Sequence, residues 1–165
     1  LNSKETGEYL VHPFAPVFDA SSRVLILGSF PSVISRQQAF YYANKNNRFW
    51  SVLSAVFEEE ITDRRAFCLS HHLALWDVIC SCRITGSSDA SIRDVTCNNI
   101  AGLIRDTDIR AVFTTGKKAS ALYQKYIDLP LCHIPLPSTS GANAVYSRED
   151  LIREYRKIRE YAEKD

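Results

Sequence analysis

The feature that most constrains the fold is a set of short apolar runs, each cut off by small or polar residues and separated by stretches of helical period. Val24-Leu25-Ile26-Leu27 is the clearest of them. Four apolar residues without alternation read as a strand buried on both faces, and Gly28-Ser29-Phe30-Pro31-Ser32 stops it. Leu75-Trp76-Asp77-Val78-Ile79, Ile109-Arg110-Ala111-Val112-Phe113 and Leu131-Cys132-His133-Ile134 read as three further strands. Between them, the spacing of Phe49, Trp50, Leu53, Val56 and Phe57 predicts a helix, as do Arg64 to Leu73, Asn98 to Ile104 and Lys117 to Tyr126. A final helix starts at Ser147, with Asp150 completing an approximate capping box and Leu151, Ile152, Tyr155, Ile158 and Ala162 on one apolar face. Parallel strands need long crossovers, usually helical, so this alternation predicts an α/β, three-layer α/β/α fold around a central four-stranded, mainly parallel sheet.

A chain of 165 residues supports one full core, so residues 1–165 read as a single domain. Residues 1–22 read as an extended arm packed on it, because His12-Pro13-Phe14-Ala15-Pro16-Val17-Phe18 is broken by proline. Twenty Lys and Arg against nineteen Asp and Glu give a formal charge of +1, so any phosphate contact must come from local geometry rather than an overall field. The five cysteines lack paired metal-knuckle spacing, and Cys80 and Cys82 have no histidine at a zinc-like distance, so they read as idle thiols and no metal or other cofactor is expected. The sequence has no leader pattern and no run of roughly 20 apolar residues, which predicts no membrane contact and a reducing, cytoplasmic setting, beside the nucleoid in a prokaryote.

The loops that follow the four strands should gather at one sheet edge, where ligands of open α/β folds bind. The first loop, Ser29 to Asn47, carries the amides of Asn44, Asn46 and Asn47, which donate and accept, and the flat ring of Tyr42. These are parts for holding a planar heterocycle. The alternative reading, core aromatics and turn-forming asparagines, suits Phe49 and Trp50 better than Tyr42 and Asn47. A second polar loop, Ser81 to Asp89, holds Thr85-Gly86-Ser87-Ser88. Gly116-Lys117 stands at a strand-to-helix junction whose free amide hydrogens suit an anion such as a backbone phosphate. In Pro137-Ser138-Thr139-Ser140, followed by Gly141 and Asn143, small hydroxyls allow close approach to a sugar-phosphate chain, or simply make a serine-rich turn.

Taken in order, these segments resemble the uracil-DNA glycosylase superfamily, from about Val24 to the last helix. Gly28-Ser29-Phe30-Pro31-Ser32 is similar to its first motif. The run from Tyr42 through Asn44 and Asn47 to Trp50 is similar to its stacking-aromatic and Asn-x-Phe-Trp segment. Gly116-Lys117-Lys118-Ala119 resembles the third-strand turn, and Leu136-Pro137-Ser138-Thr139-Ser140 the second motif, which presses on DNA. The run Leu75 to Ile79 with Arg83 and Gly86-Ser87-Ser88-Asp89 resembles the hypoxanthine-DNA glycosylase branch in particular. Three positions depart from related patterns. Phe30 stands where the mismatch-specific branch has a catalytic Asn, Asn44-Lys45 where a His-Pro pair is frequent, and Leu136-Pro137 where the uracil-specific enzymes have a catalytic His.

The resemblance implies a base-excision glycosylase acting on DNA, double- or single-stranded, that carries a deaminated base, with hypoxanthine ahead of uracil. It also places the catalytic amide at Asn47, with Asn44 as the alternative for the main catalytic amide. In this reading the flipped base stacks on Tyr42 and meets the segment from Gly28 to Ser32, with Asn44, Asp77 and Ser87 as further base contacts. Gly116, Lys117, Pro137, Ser138, Thr139, Ser140 and Asn143 hold the DNA. Asn cannot deprotonate water, and no loop lysine is placed as an amine nucleophile, so a monofunctional enzyme that leaves an abasic site is expected; a monomer is the separate expectation for its assembly. Asp77 and Asp89 read as turn caps first and supporting carboxylates second; His71, His72 and His133 receive no catalytic role. Two other classes compete: a module of this fold that binds nucleic acid without cleaving it, and a serine hydrolase, against which stands the lack of a Gly-x-Ser-x-Gly elbow.

Overall fold

The computed structural model describes residues 7–165. Among these residues seven strands and six α-helices follow in the order β1 (Glu8–Val11), β2 (Val24–Gly28), α1 (Val33–Gln38), α2 (Phe49–Phe57), α3 (Arg64–Ser70), β3 (Leu73–Asp77), β4 (Ile79–Ile84), β5 (Arg93–Cys97), α4 (Ile100–Arg105), β6 (Ala111–Thr115), α5 (Lys117–Tyr126), β7 (Cys132–Leu136) and α6 (Arg148–Glu163). Strands β3, β2, β6 and β7 form, in that order, the expected four-stranded parallel sheet.

Its burial follows from the period of a strand, which sends alternate side chains to opposite faces. Val24 and Ile26 of β2, Leu73 and Leu75 of β3, and Ala111 and Phe113 of β6 face one core, closed by α2, α3 and α6. Leu25, Leu27, Ala74 and Val112 face the other, closed by α4, α5 and strand β4. With both faces covered, β2 is buried along its whole length, which is why its sequence is apolar without alternation. Helix α6 carries the capping box in full: the Ser147 side chain accepts from the Asp150 N–H, and the Asp150 carboxylate accepts from the Ser147 N–H.

The structure corrects the sequence reading at several places. A second, antiparallel sheet of order β1-β4-β5 flanks the second core. The arm read over 1–22 is therefore partly a strand, with Glu8 to Val11 paired to Ile84 to Ser81, while its residues 1–6 lie outside the described residues. The loop read over Ser81 to Asp89 is half strand, because β4 runs on to Ile84 and only the following turn is open. The strand read over Leu75 to Ile79 is two strands: β3 ends at Asp77, and after Val78 the chain enters the other sheet as β4. Finally, the long first loop contains helix α1, capped by Ser32, whose Oγ accepts from the Ser35 N–H.

Candidate active site

Strand β2 ends at Gly28 and strand β3 beside it at Asp77, in register, so both open onto the carboxyl-terminal edge of the parallel sheet. A cavity of about 680 Å³ lies there. Gly28, Ser29, Phe30, Pro31, Ser32, Tyr42, Asn44, Asn47, Asp77 and Ser87 all line it, with Asp89, Thr115, Ser138, Thr139 and Ser140. Every residue that the sequence singled out for the base thus lines this one cavity. Gly116, Lys117, Pro137 and Asn143 line a neighbouring, wider cavity instead, and Asp89 and Ser138 border both.

The floor is built by close approach. The N–H groups of Val78 and Ile79 donate to the carbonyls of Gly28 and Ser29, and the Asn98 amide donates to the carbonyls of Asp77 and Ile79, which fixes the backbone on both sides of Asp77. A methyl group on Gly28 would sit 2.6 Å from Asp77 Oδ1 and 3.4 Å from the Tyr42 hydroxyl, so only glycine lets these groups converge. Tyr42 takes the left-handed backbone conformation, φ 51°, which costs a residue with a Cβ about 1–2 kcal/mol. Its hydroxyl bonds Thr115 Oγ1 at 3.0 Å, and one face of its ring stacks on Phe49 with centroids 3.8 Å apart. Burial, with Asp77 adding to it, raises the Tyr42 phenol above its ordinary range and keeps it neutral.

Asn47 is held by two donors. Its Oδ1 accepts from the Phe49 N–H at 2.9 Å and from Thr139 Oγ1 at 2.8 Å. Because a backbone N–H can only donate, the amide orientation is settled by chemistry, and Nδ2 is the atom left for the cavity. The residue therefore presents a donor. Its neighbour Arg48 stitches the same two loops: its N–H donates to the Thr139 carbonyl, and its guanidinium to the carbonyls of Ser140, Asn143 and Tyr146. Gly141 lies so near that a Cβ there would meet the Asn46 carbonyl oxygen at 2.7 Å.

Two acidic side chains border the cavity. Asp89 lies at its exposed rim, with Oδ1 accepting from Ser29 Oγ at 3.0 Å; partial burial raises its carboxyl above the ordinary range, against the pull of the Ser29 hydroxyl and of Lys118. Asp77 is buried, and its Oδ2 meets Nε2 of His12 at 2.7 Å, with the two side chains 4 % and 6 % exposed. Sequence reading missed His12. The signal available was weak: a histidine directly after the short run Glu8-Tyr9-Leu10-Val11, at the end of what proves to be a strand. Among the described residues no cluster of His, Cys, Asp or Glu is arranged to hold a metal ion, and no helix is long and apolar enough to cross a membrane.

Comparison with known proteins places the chain in a family. Residues 15–162 match the family model for the uracil DNA glycosylase superfamily. A protein of Methanosarcina acetivorans named hypoxanthine DNA glycosylase is 32% identical over 141 residues, which is 82% of this chain and 89% of the relative. A second of that name, from Methanosarcina barkeri, is 29% identical over 113 residues, 64% of this chain and 71% of its own length. The solution NMR structure of a candidate uracil DNA glycosylase from Methanosarcina acetivorans superposes with a TM-score of 0.75 at 28% identity, covering 90% of this chain and 99% of that one. The chain belongs to the uracil DNA glycosylase superfamily and is a DNA glycosylase.

Proposed function

We propose that this glycosylase hydrolyses the N-glycosidic bond of a deaminated base flipped out of DNA, hypoxanthine foremost, and leaves an abasic site. The observation that carries the reading is the fixed amide of Asn47, whose free Nδ2 shares one cavity with the ring of Tyr42 and the carboxylate of Asp77. The names of the two curated relatives support hypoxanthine as the base.

Flipping costs a few kcal/mol, least for a mispaired base, which favours a deaminated purine. The everted ring lies against the face of Tyr42 that Phe49 leaves open, with the Ser29 and Phe30 N–H groups, which donate to nothing else among the described residues, toward its oxygen. Cleavage leaves negative charge on the base and positive charge on the sugar. A preorganised N–H dipole such as Asn47 Nδ2 stabilises that separation, or holds the attacking water by its oxygen. It does not take the water's proton, since its own acceptor is occupied. No lysine lines the cavity, so the amine needed for strand-cleaving covalent catalysis is not supplied by the described residues, and hydrolysis is favoured. The protein acts as a monomer on double- or single-stranded DNA, with Lys117, Ser138 and Asn143 along the strand in the second cavity.

Duplexes and single strands carrying one inosine or one uracil, treated with alkali after incubation, test this directly. Inosine-dependent breaks that vanish in Asn47→Ala while DNA binding persists are the expected result. Binding with no break for either base marks a module without catalysis and overturns the proposal; uracil breaks without inosine breaks overturn the choice of base.

A further inference from the structure

We propose that His12, carried to the cavity by the amino-terminal strand, is a positioning residue that sets Asp77 to read the ring N–H of the deaminated base. The proposal rests on the excision of deaminated bases set out above and names the contact that selects them. His12 follows β1 directly, and its own N–H donates to the Cys80 carbonyl at 2.7 Å, so the second sheet fixes where its ring stands. Phe14, Phe30 and Tyr41 surround that ring, with the Phe14 centroid 4.7 Å away. Burying a histidine there is costly, because Nδ1 is shut off from water and has no partner among the described residues. The ring's one polar bond among the described residues is Nε2 to Asp77 Oδ2.

A carboxylate only accepts, so that bond places the proton on His12 Nε2 and uses one oxygen of Asp77. The other, Oδ1, accepts no hydrogen bond among the described residues and lies over Gly28 in the cavity. What remains is a single acceptor of fixed direction. Hypoxanthine and uracil, once deamination has made them lactams, both carry a ring N–H where adenine and cytosine carry a bare ring nitrogen. An acceptor aimed at that edge favours the deaminated forms, since the parent base would leave two lone pairs facing each other. A bare carboxylate would also oppose departure of the base as an anion. The His12 N–H draws part of that charge onto itself while leaving Oδ1 in place.

Single-turnover cleavage of an inosine duplex by wild type, His12→Gln, His12→Met, Asp77→Ala and the His12→Met/Asp77→Ala pair separates positioning from packing, with thermal melting run on each. Gln can place an N–H where Nε2 stands, whereas Met keeps the bulk and loses the donor. His12→Met should lower the maximal rate about 10- to 100-fold, His12→Gln should stay within about threefold of wild type, and the pair should be no slower than Asp77→Ala alone. Equal rates for the Met and Gln variants, or independent losses in the pair, overturn the proposal while excision itself stands. If the Asp77→Ala variants do not fold, the Met and Gln comparison decides alone. A wild type that cleaves neither inosine nor uracil DNA overturns the proposed function, and this inference with it.

Discussion

Thr139 is the residue whose removal should be felt most for its size. Its hydroxyl gives Asn47 one of two anchors, and the side chain is 2 % exposed. Thr139→Val keeps the shape and frees the amide to turn, so the single-turnover rate on inosine DNA should fall about tenfold, with a much smaller change in DNA affinity. Asp89 gives a pH dependence of known sign. Its carboxyl is raised in the folded protein, so between the ordinary value of 3.8 and that higher value the folded state holds more proton than the unfolded one. Stability from this group is therefore lost as pH rises through that window. Asp89→Asn removes the effect, and its melting temperature relative to wild type should climb from below pH 3.8 to neutrality. A difference that stays flat across that range would contradict the assignment.

Among the elements, helix α6 bears on the site from behind. Tyr155 is fully buried, and its hydroxyl donates to the Pro137 carbonyl at 2.6 Å, tying the helix to the loop that holds Asn47. Tyr155→Phe leaves that carbonyl unpaired and should cost about 1 kcal/mol in denaturant unfolding. The legibility of the elements in the sequence followed their burial. Strand β2 could be read because Val24 to Leu27 is covered on both faces; Tyr42 and Asn47 could be read because aromatic and amide side chains stand together in one loop. Strands β1 and β5 could not. Glu8-Tyr9-Leu10-Val11 and Arg93-Asp94-Val95-Thr96-Cys97 each bury little, Asp94 has a left-handed backbone, and the β4–β5 register shifts twice, so neither shows a clean period of two. The pairing of His12 with Asp77 spans 65 residues and depends on that hidden sheet, which is why no local pattern announces it.

Across the whole molecule, the two cores predict a simple order of thiol reactivity. Cys68 is buried under the first core, and burial pushes its thiol up to about 12, whereas Cys132 on the edge strand β7 is exposed. Thiolate is the reactive form, so mass spectrometry after brief alkylation should find Cys132 modified first and Cys68 only once the protein is globally unfolded. Modification of Cys68 under native conditions would mean that the α3 side of the core opens on its own.

The passage from one sheet to the other through Val78 also governs how this scaffold can be re-engineered. An insertion or deletion of one residue at that corner would turn the following strand inside out, sending Cys82 and Ile84 toward solvent and Arg83 toward the interior. Chimeras should therefore leave the chain from Leu73 to Ile84, Asp77 included, as a single inherited piece, and make their exchanges in open turns such as Thr85 to Ser88.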